Sequence, residues 1–128
     1  MMVVDESSGV LHSLILLLEH FGFETHGFLT QQAALAALSD YRPDVLICDA
    51  HVEEVEDQDV PLPGRIEAIE TASSVQRVRP GCKVIILSSN LKPTTVEDGA
   101  HRLGMEVEVM PKPASPPELI SAVRKRTG

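Results

Sequence analysis

Four stretches carry the side chains whose types could do chemistry together. Asp5 and Glu6 follow the apolar pair Val3-Val4, and Asp49 ends the run Val45-Leu46-Ile47-Cys48. Ser88 ends the run Val84-Ile85-Ile86-Leu87, and Lys112 stands between Pro111 and Pro113. Brought to one place, three carboxylates repel and raise one another's pKa. An ammonium group and a divalent cation relieve that conflict. Oxygen donors with few protein contacts suit magnesium, which keeps several waters and pairs readily with a phosphoryl oxygen. A carboxylate can also act as a nucleophile and form an acyl phosphate. Phosphoryl transfer needs mainly alignment and charge neutralisation, which a metal, Lys112 and the Ser88 hydroxyl together could provide.

The elements that must position these groups are legible as alternating strands and helices. Val45 to Ala50 is an apolar run without a break, the pattern of a strand buried on both faces of a parallel sheet. Met1 to Asp5 forms a short first strand. Ser7 or Ser8 caps a helix whose inner face carries Val10, Leu11, Leu14, Ile15, Leu17, Leu18 and Phe21, and Gly22 ends it. Phe23 to Phe28 is a weaker strand. Thr30 caps a second helix with Ala34, Leu35 and Leu38, ending near Tyr41-Arg42-Pro43. Past Asp49, the segment from His51 to Gly64 holds Glu53, Glu54, Glu56, Asp57, Asp59, Pro61 and Pro63. So acidic a segment reads as a solvated loop.

A third helix is expected from about Arg65 to Arg77, with Ile66, Ile69 and Val75 inward. Lys83 to Ser88 is the next buried strand. Thr94 and Glu97 form a candidate capping box before Val96, Ala100 and Leu103, with Gly104 as the stop. Glu106 to Met110 is a more polar strand, suited to an edge. Ser115, Pro116 and Glu118 announce a last helix with Leu119, Ile120 and Val123 inward. Arg124, Lys125 and Arg126 complement its dipole. Five strand–helix alternations predict an α/β fold: one doubly wound parallel sheet in order 2-1-3-4-5, with helices on both faces and residues 1–128 as a single domain. That order places Asp5, Glu6, Asp49, Ser88 and Lys112 on one rim. Alone, Asp5-Glu6 is an ordinary helix-dipole pair and Ser88 an ordinary turn residue; the constellation makes the case.

Composition narrows the rest. A formal net charge of -8 over 128 residues argues against a nucleic-acid-binding face. No run reaches the length of a membrane span, and the start lacks the basic region of a signal peptide, so a cytoplasmic location is expected. Cys48 and Cys82 have no metal or redox spacing and read as reduced thiols. The five histidines are scattered, with His12, His20 and His101 expected on exposed helix surface.

The chain resembles the receiver domain of bacterial two-component response regulators. Val3-Val4-Asp5-Glu6, Val45 through Asp49, Val84 through Ser89 and Lys112-Pro113 occur in the family's order and at nearly its spacing, across the whole chain. The resemblance implies that Asp49 accepts a phosphoryl group from a histidine kinase or phosphotransfer protein. It implies a Mg2+ site made by Asp5, Glu6, Asp49 and the backbone carbonyl of His51. It casts Ser88 as the hydroxyl switch and Lys112 as the phosphoryl-pairing cation, with a cis bond to Pro113. The side chains of His51 and Asn90 fall where the family tunes acyl-phosphate hydrolysis. Such a domain is not an enzyme acting on outside substrates; it assists its own phosphorylation and dephosphorylation. Its partners are the kinase, a downstream protein or fused output domain, and a second copy docked through the last two helices and the fifth strand.

Three positions depart from the family pattern. Glu6 stands where aspartate is more common, the acidic segment intervenes after Asp49, and Val109 replaces the usual aromatic switch residue. The last two favour another class of function, a pseudo-receiver that serves as a protein-interaction module without being phosphorylated. A phosphate-ester hydrolase with an aspartate nucleophile is a third class. It is disfavoured because Ser7 stands where an Asp-x-Asp motif would need a second aspartate.

Overall fold

The computed structural model describes residues 1–50, 67–88, 93–112 and 114–125. Strand and helix alternate through them: β1 (Met2–Val4), α1 (Ser8–His20), β2 (His26–Phe28), α2 (Gln31–Ala37), β3 (Val45–Ala50), α3 (Glu67–Val78), β4 (Lys83–Ser88), α4 (Pro93–Arg102), β5 (Glu108–Pro111) and α5 (Pro116–Arg124). The strands form one parallel sheet in the order β2-β1-β3-β4-β5. Both the alternation and the strand order are those expected from the sequence.

Side-chain alternation divides the core into two layers. Val3, Val45, Ile47, Ile85, Leu87 and Met110 face α1 and α5, where Leu11, Leu18, Leu119 and Val123 meet them. Met2, Val4, Leu46, Cys48, Val84 and Ile86 face the other side, against Ala34 of α2, Ile69, Ala72 and Val75 of α3, and Val96 and Ala100 of α4. The central strands are apolar on both faces because both faces are covered. Each fully buried aliphatic side chain contributes roughly 1.5–3 kcal/mol.

Helix ends follow local chemistry. Ser7 Oγ accepts from the Val10 N–H at 3.4 Å, and Thr30 Oγ1 accepts from the Ala33 N–H at 3.1 Å. Gly22 and Gly104 follow α1 and α4 with φ of +88° and +73°, a region that favours glycine. Arg79-Pro80-Gly81 separates α3 from β4, as expected.

Several expectations need correcting. Phe21 and Leu103 do not join the core; they are 43% and 54% exposed, because each lies at or beyond the last turn of its helix, where the buried stripe has run past the sheet. β2 begins at His26 rather than Phe23, since only His26–Phe28 pair with β1. Thr94 is the second residue of α4 and not its cap. Ser115 has cap geometry but makes no side-chain capping bond. The predicted start of the third helix at Arg65, with Ile66 inward, lies outside the described residues, as does the acidic loop 53–59. Both cysteines are buried thiols, and His12, His20 and His101 are exposed. No described helix is long and apolar enough to cross a membrane.

Candidate functional site

The site is built by carrying three strand ends to the same rim. In the β1–β3 register Val4 lies opposite Cys48, so one further step sets Asp5 opposite Asp49. By strand alternation both belong with Val3 and Ile47, on the side of α1 and α5. Lys112 follows Met110 by two residues and shares that side. Its N–H donates to Ser88 O at 2.9 Å, extending the β4–β5 pairing past Pro111 and delivering the lysine to the rim.

Asp5 is held at three points. Its N–H donates to Phe28 O at 3.1 Å, and its Oδ1 accepts from the Ser7 N–H at 2.9 Å. Its Oδ2 accepts from Lys112 Nζ at 2.8 Å. The residue is 1% exposed, so this carboxylate depends on those contacts for its charge. Lys112 Nζ also lies 3.1 Å from Asp49 Oδ1. That approach is within ion-pair distance but off the direction of a hydrogen bond, and among the described residues the buried Asp49 Oδ1 has no hydrogen-bond partner. The ammonium therefore bridges two carboxylates and bonds well to one.

Burial pushes the Asp49 carboxyl above its ordinary pKa; the Lys112 ammonium opposes this, and the Asp5 and Glu6 charges add to it. Burial acts against the Lys112 ammonium too, but its hydrogen bond to Asp5 and the negative charges of Asp49 and Asp5 outweigh that and raise its pKa. The site thus holds a lysine locked in its charged form beside an aspartate that is poorly compensated.

Beside these groups opens a cleft of about 250 Å³. Asp5, Glu6 and Asp49 line it, joined by Thr30 and Gln31 from the start of α2 and by Thr71 from α3. Glu6 is exposed at its mouth. Among the described residues no three of His, Cys, Asp and Glu converge as a ready-made metal cluster. Magnesium does not need one: it takes one or two carboxylates and keeps its waters. The buried Asp49 Oδ1, short of a hydrogen-bond partner, and the neighbouring Asp5 and Glu6 are a donor set that fits such an ion. A larger groove of about 910 Å³ lies elsewhere, between α3, α4 and the N-terminal ends of β4 and β5, lined by Gln76, Glu97, His101 and Met105. It contains none of the rim residues.

Of the residues singled out from the sequence, Asp5, Asp49 and Lys112 meet directly, and Glu6 lines the same cleft. Ser88 is 5% exposed at the end of β4. It pairs with Ala50 rather than Asp49, one step farther along, and by alternation belongs with Val84 and Ile86 on the α3–α4 side. Val109 is half-buried against the core on that same side. His51, Asn90 and Pro113 lie outside the described residues. Thr71 escaped sequence reasoning. The available signal was its place on the buried stripe of α3, three residues after Ala68 and four before Val75.

The comparisons agree with the geometry. The model of the response regulator receiver domain family matches residues 1–124, and the chain belongs to that family. No curated protein matches the sequence. Among solved structures, the receiver domain protein (CheY-like) of Methanospirillum hungatei JF-1 is 18% identical with a TM-score of 0.76, over 98% of this chain and 90% of that one. The chemotaxis protein CheY4 of Vibrio cholerae is 19% identical with a TM-score of 0.75, over 97% and 94%. The adenylate cyclase of Rhodopirellula baltica is 19% identical with a TM-score of 0.75, over 98% and 84%.

Proposed function

We propose that this receiver domain accepts a phosphoryl group on Asp49 from a histidine kinase or phosphotransfer protein. The observation that carries the reading is the Lys112 ammonium set between Asp5 Oδ2 and a buried Asp49 Oδ1 that has no hydrogen-bond partner among the described residues. A carboxylate oxygen left this way is available to a new bond. An Asp49 oxygen attacks the phosphorus of the donor phosphohistidine; the new O–P bond forms as the P–N bond breaks, and the imidazole leaves and takes a proton. Lys112 pairs with a phosphoryl oxygen as the negative charge on Asp49 is spent, and its second bond, to Asp5, keeps it placed. Asp5, Glu6, Asp49 and the carbonyl of His51 would hold Mg2+, which when bound neutralises charge on the transferring group.

Ser88 supplies the hydroxyl that answers phosphorylation, and with Val109 in place of an aromatic ring the response runs through strand and helix position rather than a ring flip. The output surface is the face of α4, β5 and α5, offered to a downstream protein, a fused output domain or a second copy. The similar R. baltica structure is that of an adenylate cyclase, which is consistent with the fused arrangement. The domain works in the cytoplasm, where its kinase partner's phosphoryl-transfer groups reside. It catalyses no reaction on an outside substrate.

A pseudo-receiver function, favoured by Val109 and by the acidic segment after Asp49, is the competing reading. Intact-protein mass after incubation with acetyl phosphate and magnesium separates the two. The expected result is a gain of one phosphoryl group that disappears in Asp49→Asn and without magnesium. A folded protein that gains none, and forms no beryllofluoride complex, is a pseudo-receiver.

A further inference from the structure

Phe21 continues the apolar period of α1 and yet is 43% exposed. The Arg124 guanidinium lies over its ring, 5.6 Å from the centroid. The pair stands in a groove of about 510 Å³ along α5, lined also by Pro116, Pro117, Ile120 and Lys125. Pro117, Ile120 and Arg124 follow one another at spacings of three and four, so they share one face of the helix. None of these residues lines the cleft at the carboxylates. We propose that this α1–α5 groove docks an acidic amphipathic helix of a partner protein, its apolar side chains against Phe21 and Pro117 and its carboxylates on Arg124 and Lys125.

Charge selects the occupant. The chain carries a formal net charge of -8, so most of its surface repels an anionic segment. Among the described residues that line this groove, the only charged ones are Arg124 and Lys125. Glu118, the acid of the first turn of α5, is not among them. Neither cation has an ion-pair partner among the described residues. An acidic segment is therefore steered here and repelled elsewhere. Arg124 is already ordered over the ring, so less side-chain freedom is lost on binding. Arginine and aromatic side chains are also the kinds that concentrate binding energy at interfaces. The groove follows α5, and a helix lays its apolar face into such a groove. α1 leaves the rim at Ser8 and runs 13 residues, about 20 Å, so Phe21 and Arg124 meet at its far end. Docking there leaves Asp49 open to a phosphodonor.

The test titrates the full chain with two synthetic helical peptides and follows amide chemical shifts. One peptide has leucine at alternating spacings of three and four with glutamate elsewhere; the other has lysine for each glutamate. The expected result is that the glutamate peptide shifts residues 116–125 and Phe21, and the lysine peptide does not. Arg124→Glu weakens binding about tenfold, since an exposed ion pair is worth up to about fivefold and the reversed charge adds repulsion. Phe21→Ala weakens it about fivefold, as loss of an aromatic anchor does. Arg102→Glu reverses an exposed cation of α4 outside the groove and leaves affinity within about twofold. Circular dichroism confirms the fold of each variant, and if Phe21→Ala does not fold, Arg124→Glu carries the comparison. A glutamate peptide that fails to bind, binds elsewhere, or binds Arg124→Glu as well as wild type overturns the inference. Shifts at the same residues on raising the chain's own concentration, with no peptide, assign the groove to a second copy and overturn it too. None of these outcomes bears on the phosphoacceptor reading, which the mass measurement at Asp49 tests separately.

Discussion

Replacing Lys112 by methionine removes one charge and leaves the stem. In the folded protein that charge lies 2.8 Å from Asp5 Oδ2 and 3.1 Å from Asp49 Oδ1. At an effective dielectric constant near 20 each contact is worth roughly 5–6 kcal/mol of gross attraction. Most of that is offset by the cost of bringing the ions out of water. The net loss on breaking a buried pair is about 3–5 kcal/mol, because the abandoned charge stays buried. Here the side chains of Asp5 and Asp49 are 1% and 9% exposed and that of Lys112 is 16% exposed. Lys112 keeps some access to water, so the lower end applies, about 3 kcal/mol. For a chain of this length that is a fall in Tm of about 10 °C at pH 7.

The variant has a pH signature as well. Without the ammonium, Asp49, whose folded pKa burial already raises, loses the charge that opposed that rise, so its share of the deficit shrinks as pH falls through the raised value. In wild type, Lys112 has its folded pKa raised above the ordinary 10.5. Its stabilisation is therefore fully present below that ordinary value and is lost as pH rises through the folded one. With no Trp and one Tyr, the assay is thermal unfolding followed by far-ultraviolet circular dichroism from pH 4 to 8. A loss under about 2 °C at pH 7, or one that stays constant down to pH 4, would refute the bridging geometry.

Two further predictions concern stability. Asp49→Asn should be more stable than wild type at neutral pH: burial raises the folded pKa of Asp49, so its ionised form is a penalty fully present above that value and absent below the unfolded one. The gap should close as pH falls toward 3, and an Asn variant with a lower Tm at pH 7 would contradict the site's electrostatics. Leu119→Ala should cost about 2–5 kcal/mol in urea unfolding, because Leu119 is fully buried in the layer between sheet, α1 and α5; a cost under 1 kcal/mol would mean that α5 is not packed as described.

How much of this was legible beforehand depended on whether the signal is local. The runs Val45–Cys48 and Val84–Leu87 are apolar at every position, which only a strand covered on both faces tolerates, so the parallel sheet could be read directly. Its order followed from right-handed crossovers. The rim residues were legible for the same reason: a charged or hydroxyl side chain at the end of such a strand has left the core. What was not local had to wait for the tertiary structure. Phe21 and Leu103 continue an apolar period, but whether the sheet still lies beneath the last turn of a helix depends on where the helix is docked. Thr71 looks like one more small residue on α3 until the helix is set against the sheet, when it borders the same cleft as Asp5, Glu6 and Asp49.

The sequence by itself determined the elements, their order and the set of rim residues, because side-chain periodicity and strand-end chemistry are properties of neighbours along the chain. Only the tertiary structure decided that Lys112 bonds Asp5 squarely and Asp49 at an angle. It alone decided that Ser88 sits one step beyond Asp49, and that a cleft bordered by the start of α2 and by α3 opens beside the carboxylates. Those depend on strand register and helix docking. Each is set by contacts between residues tens of positions apart, whose separations no local pattern encodes.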